Sequence, residues 1–134
     1  MSTILVDNLT GKTSAGSITV TSEGGAATQS LQQGLAKVWA VTDLTGTLSD
    51  SFNVSSADDD GTADFGLNFT NSFGSTAYVA NITPNVTALN PRLYLVSPSR
   101  ATSACEFRGM ESTSGTALEA SVTDTMTSIH GDLA

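Results

Sequence analysis

The sequence predicts an all-β protein on three observations: a strand-favouring composition, apolar residues that alternate at period two, and turn residues at short intervals. In this chain of 134 residues only 13% are charged, about half the share usual in soluble proteins. Ser and Thr fill the gap, together accounting for roughly a quarter or more of the residues. Thr, Val, Ile and Phe favour strands, whereas the helix formers Glu, Lys and Arg are scarce. The length suits one ordinary domain, or a small domain with an appendage.

Residues 1–25 read as a small β-hairpin leader. Ile4, Val6 and Leu9 mark one strand; Ile18 and Val20 alternate with Thr19 and Thr21 on the next, and a polar turn from Gly11 to Gly16 joins them. A two-stranded hairpin is marginal alone in water, so these apolar residues need a partner surface, either the rest of the chain or copies of itself. Gly24-Gly25-Ala26-Ala27 is a flexible break, and residues 26–36 form a short helical neck. Its pattern runs from Thr28 to Val38, with Leu31, Leu35 and Val38 at spacing i, i+4, i+7. Gly34 costs such a helix about 1 kcal/mol relative to Ala. Two or three turns with one apolar stripe hardly persist in isolation. The stripe is therefore covered either by its own domain or by two further copies around an axis. Ile4, Val6, Ile18, Val20, Leu31, Leu35 and Val38 are the candidate oligomer contacts, and the expected oligomer is a homotrimer.

Residues 37–134 read as a β-sandwich, jelly-roll-like, of about eight strands. In the first strand Val38, Ala40 and Thr42 oppose Trp39 and Val41. A hairpin from Asp50 to Thr70 follows, turning at Asp60-Gly61. That turn pairs Phe52 with Phe69, Val54 with Leu67 and Ser56 with Phe65, which gathers the apolar residues on one side. Further strands are expected at Ala77–Thr83, Arg92–Ser97, Ala104–Met110, Ala117–Thr123 and Thr127–Leu133, separated by Pro84-Asn85, Asn90-Pro91, Ser97-Pro98-Ser99, Ser112–Gly115 and Asp124-Thr125.

Charge and chemistry narrow the function classes. The net charge of −8 arises from 13 acids against 5 bases, and Lys12, Lys37, Arg92, Arg100 and Arg108 are widely spaced. Neither nucleic-acid binding nor docking on an anionic membrane is expected, because both rely on clustered bases. No apolar run approaches the ~18 residues of a membrane helix. The start, Met1 to Asp7, lacks the basic region of a secretion signal, so synthesis and folding in a cytoplasm are expected. Cys105 is the only cysteine and reads as a buried small apolar side chain in a strand. His130 is the only histidine, in Ser-Ile-His-Gly-Asp; no GxSxG elbow accompanies it, and a triad through Ser128 or Ser121 with Asp124 or Asp132 has no supporting pattern. Asp58-Asp59-Asp60, with Asp64 nearby, reads as a solvated turn. Calcium is the alternative there, although the spacing departs from an EF-hand loop. Catalysis by paired carboxylates would need a cleft and a raised pKa. No cofactor and no catalytic residue is expected.

Lys37-Val-Trp-Ala-Val41, then Leu48-Ser-Asp-Ser-Phe-Asn-Val-Ser-Ser56, Asp60-Gly-Thr-Ala-Asp-Phe65 and Asn68-Phe-Thr70, form an ordered set of motifs. The set resembles a module of small tail-fibre and other virion structural proteins of marine bacteriophages, in which "KAW", "DSFNVSSxxDxGTGDY" and "NFT" stretches follow in this order. Ile4 to Lys12 with Ser17 to Val20 resembles the leader that precedes the module, and Gly131-Asp-Leu-Ala134 its ending. Ala63 departs from the Gly usual at that position. The resemblance implies a trimeric, β-structured component of the virion surface, with no catalytic residue to carry over. Two functions follow as expectations. One is a short fibre or adhesin for host attachment, presenting Asn85 and Asn90 in one loop and Ser112 and Ser114 in another to a host glycan or protein. The other is a capsid decoration or head-fibre protein that binds the shell as a trimer. Either would contact other virion proteins.

Overall fold

In the computed structural model the described residues are 3–14, 18–22, 24–86, 91–95, 100–111 and 122–134, with backbone alone at Pro91, Arg92 and Glu111. The chain divides into two compact units, Met1–Leu35 and Ala36–Ala134.

The first unit holds strand β1 (Thr19–Thr21), strand β2 (Thr28–Ser30) and helix α1 (Leu31–Gly34). The two strands pair antiparallel, with Val20 opposite Gln29. Their turn uses the segment expected as a break: Gly25 takes a φ of 71°, its N–H donates to the Ser22 carbonyl (2.8 Å), and Ser22 N–H donates to the Ala27 carbonyl (2.8 Å). Glycine adopts that left-handed backbone without a Cβ clash, so the chain reverses there. The expected pairing of residues 4–9 with 18–21 is thus replaced, and Ile4, Val6 and Leu9 lie outside any strand. The neck is also shorter than its spacing predicted. Ser30 caps α1 by accepting from Gln33 N–H (3.5 Å), but Leu35 is already extended (φ −94°, ψ 143°). One turn cannot align Leu31, Leu35 and Val38, and Val38 belongs instead to the core of the second unit.

The second unit is built from antiparallel strands: β3 (Val38–Thr42), β4 (Leu48–Phe52), β5 (Val54–Gly61), β6 (Asp64–Phe69), β7 (Val79–Val86), β8 (Pro91–Leu95), β9 (Ala104–Glu111) and β10 (Val122–His130). They form two sheets, ordered β4-β3-β10-β7 and β5-β6-β9-β8. Three consecutive pairs, β3–β4, β5–β6 and β8–β9, stay within a sheet. Both sheets contribute to one apolar core: Val38, Ala40 and Ile129 from the first; Phe65, Leu67, Cys105 and Phe107 from the second. Phe65 and Phe107 are cross-strand partners with ring centroids 5.6 Å apart. Phe73 lies 4.7 Å from Tyr78 and 5.2 Å from Phe69, and Tyr78 Oη donates to the Ala101 and Ala104 carbonyls (3.1 Å each). Burial pushes the Cys105 thiol up to about 12, which keeps it unreactive. Inside the first sheet the Thr42 and Thr125 hydroxyls are 2.9 Å apart, and the Thr125 hydroxyl also reaches the Thr42 carbonyl (3.2 Å).

The expected hairpin from Asp50 to Thr70 is divided between the sheets. Asn53, at φ 59°, turns the chain out of β4 and into β5. Its Nδ2 donates to the Lys37 and Asn71 carbonyls (3.1 Å each), and its Oδ1 accepts from Asn71 N–H (2.7 Å) and Nδ2 (3.0 Å). Phe52 therefore pairs with Trp39 rather than Phe69, and Val54 faces Phe69. The β5–β6 turn comes later than expected, at Thr62-Ala63, where Ala63 has a φ of 56°. Irregularities beside Val54 and Asp59 restore the parity that keeps Phe65, Leu67 and Phe69 inside. At the C-terminal end, Asp124-Thr125 does not separate strands; β10 runs through it, with a register shift between Val122 and Asp124. Pro84 and Asn85 similarly lie inside β7, which is an edge strand, where a proline has no ladder donor to lose on its open side.

Candidate functional site

Once the core is complete, the outward face of the first sheet is chemically the most distinctive surface of the second unit. Strand alternation builds it: Val38, Ala40 and Thr42 point inward, so Trp39 and Val41 point outward. The pairing then sets two rows across the four strands. One row runs Phe52, Trp39, Ser128, Asn81; the next runs Asp50, Val41, Met126, Thr83. Phe52 is 53% exposed, Met126 45% and Trp39 39%. The rows are apolar over β4 and β3 and at Met126, and hydroxyl- or amide-bearing beside β7. These four strands contain no Lys or Arg; Asp50 and Asp124 supply their carboxylates. His130 lies on the same outward side, opposite Val79.

A polar face lies on the second sheet. Gly66 lets acidic side chains close over β6: an added Cβ would stand 3.0 Å from Asp60 Oδ2 and 3.8 Å from both Asp58 Oδ2 and Glu106 Cγ. Asn68 Nδ2 donates to Asp58 Oδ2 and to Ser56 Oγ. Burial and the neighbouring carboxylates of Glu106, Asp58, Asp64 and Asp59 push the Asp60 pKa upward. Asp64 is buried and takes a charge-assisted pair of bonds from Arg108, whose Nε is 2.9 Å from Oδ2. Among the described residues no group of three or more His, Cys, Asp or Glu side chains is placed to hold a metal ion. The acidic turn is thus a region of charge repulsion relieved in part by Asn68.

Of the residues singled out as oligomer contacts, one is not available at any surface and the others differ in exposure. Ile4 (82% exposed), Val6, Val20 and Leu35 are exposed on the first unit, Ile18 and Leu31 are half-buried there, and Val38 is fully buried in the second unit. Val20, Gln29, Ser30, Leu31, Gly34 and Leu35 line a shallow hollow. Of the receptor-facing candidates, Asn85 sits in β7 opposite Asp124, with Nδ2 3.3 Å from Asp124 Oδ2, rather than in a loop. Asn90, Ser112 and Ser114 lie outside the described residues. The Phe52–Trp39 pair was missed because Phe52 was assigned to a hairpin core. Asn53 was the available signal, since Asn tolerates left-handed backbone better than most residues.

Among the described residues no helix is long and apolar enough to cross a membrane. Compared with protein-family models, curated proteins and solved structures, the chain matches none.

Proposed function

We propose that the chain is a non-enzymatic structural protein of a bacteriophage particle, a short trimeric fibre or adhesin module that takes part in host attachment at the virion surface. One observation carries the reading. Trp39, Phe52 and Met126 stand exposed on a unit whose core is already filled by Phe65, Phe73, Phe107, Leu67 and Ile129. Exposed large apolar side chains gathered on one face, unlike ones scattered singly, mark a contact surface. The motif resemblance around Trp39 and Phe52 points to the same class. The first unit takes the docking role: Ile4, Leu5, Val6 and Leu9 are exposed and await a partner surface, either sister copies or another virion protein. That second apolar set also favours the alternative, a trimeric decoration or head-fibre protein seated on the capsid, in which docking is the main task. Weak binding by each copy is multiplied when three or more copies engage one cell.

The test is adsorption competition with the purified full chain. An adhesin binds host cells and lowers the rate of phage adsorption in proportion to its concentration. Protein that neither binds cells nor competes sinks the adhesin reading and leaves the capsid reading to be judged by heat resistance of heads lacking the protein.

A further inference from the structure

We infer that the outward face of β3 and β4, with its continuation on β10 and β7, is a binding site for an uncharged saccharide. The inference deepens the adhesin reading, on which it rests, by naming what the attachment face takes. Three features select this occupant. The first is amphipathic order: Trp39 and Phe52 lie side by side in one row, and Ser128 and Asn81 continue that row. At the sheet spacing of about 4.8 Å per strand the row spans roughly 14 Å. A sugar ring presents the matching pattern, apolar C–H faces bordered by hydroxyls, to aromatic faces and to a few polar groups that fix orientation.

The second feature is charge. The four strands carry Asp50 and Asp124 and no Lys or Arg, in a chain of net charge −8. Phosphorylated, sulfated or uronic-acid chains would be repelled, whereas a neutral saccharide can use Asp50 as a hydrogen-bond acceptor. The third is area. Phe52, Met126 and Trp39 at 53, 45 and 39% exposure offer on the order of 300 Å² of apolar surface. A stable protein interface needs about 800 Å² per partner. The apolar part of the face alone is thus of the size that a small ligand's footprint covers.

Trp39 is the only tryptophan, so emission excited selectively from tryptophan, apart from Tyr78 and Tyr94, reports on this face. The experiment titrates the full chain with maltohexaose, mannohexaose and galactotetraose, each to about 10 mM, enough to fill most sites at a Kd of about 1 mM. Saturable quenching or a blue shift with at least one of them is expected. Phe52→Ala and Met126→Glu should each weaken that response at least tenfold while the protein still melts cooperatively, since both side chains are about half exposed and outside the core. An emission unchanged by all three sugars overturns the saccharide assignment. If the same protein still binds host cells, the adhesin reading survives that failure and the attachment face is elsewhere. An emission that shifts with protein concentration in the absence of sugar also overturns it, because another copy then covers the face.

Discussion

Asn53 determines which sheet receives Phe52, and its replacement separates two physical costs. At φ 59° an alanine pays about 1–2 kcal/mol for left-handed backbone, whereas glycine does not. Both variants lose the four side-chain bonds to Lys37 and Asn71. At a net 0.5–1.5 kcal/mol per bond, and with two donor–acceptor sites shared among the four, that loss comes to about 2 kcal/mol. Asn53→Gly is therefore expected to cost about 2 kcal/mol and Asn53→Ala about 3–4 kcal/mol. For a unit of about 100 residues, 1 kcal/mol moves the midpoint by roughly 4–8 °C, so the Ala variant should melt at least about 4 °C below the Gly variant. Calorimetry of the full chain, following the transition of the larger unit, measures both. Equal midpoints would refute the backbone-strain part. Two variants within about 2 °C of wild type would refute the role of Asn53 as the corner post of β4, β5 and β6.

Other residues make separable predictions. Gly46 has a φ of 74°, and a Cβ there would lie 2.6 Å from the Asp58 carbonyl carbon, so Gly46→Ala should destabilise by at least about 2 kcal/mol in urea unfolding. Gly61→Ala, strained in φ but with open space around it, should cost less than Gly46→Ala in the same assay. Thr127 Oγ1 is buried with no hydrogen-bond partner among the described residues, so Thr127→Val should be neutral or stabilise by about 1 kcal/mol. Asp60 has its folded pKa raised above 3.8 by burial and by Glu106, Asp58, Asp64 and Asp59. Its ionised form therefore opposes folding, fully above the folded pKa and not at all below 3.8. Asp60→Asn should raise the thermal midpoint at pH 7 and leave it unchanged near pH 3, as melts at the two pH values would show.

The sequence was most informative where alternation faced one core. The inward set of β3, the burial of Phe65, Leu67 and Phe69, and the strand holding Cys105 and Phe107 all follow from side chains alternating across a strand. It was least informative at corners. Asp60-Gly61 carries a strong two-residue turn signal, yet the turn falls at Thr62-Ala63, because irregularities in β5 preserve the inward face at a different register. Asn53 hints at a corner by residue type alone, but the partners that hold it there, Lys37 and Asn71, are distant in sequence. Asp124-Thr125 reads as a break by residue type, but the Thr125 hydroxyl is spent on Thr42 inside the sheet. In the first unit, the helical spacing of Leu31, Leu35 and Val38 extended over a segment where the chain leaves the helix after Gly34 and enters β3. The candidate face meets the same difficulty: Trp39 is legible as outward, but Phe52 depends on the corner at Asn53 and Met126 on β10 running through Asp124-Thr125.

The most direct measurement of whether this protein belongs to a phage particle is immunogold electron microscopy of intact virions, with an antibody raised against residues 36–134. Label concentrated at the tail is the predicted result and supports the attachment reading. Label over the head moves the protein to the decoration reading. Virions that carry no label at either place, while the antibody binds the purified chain, would contradict the account.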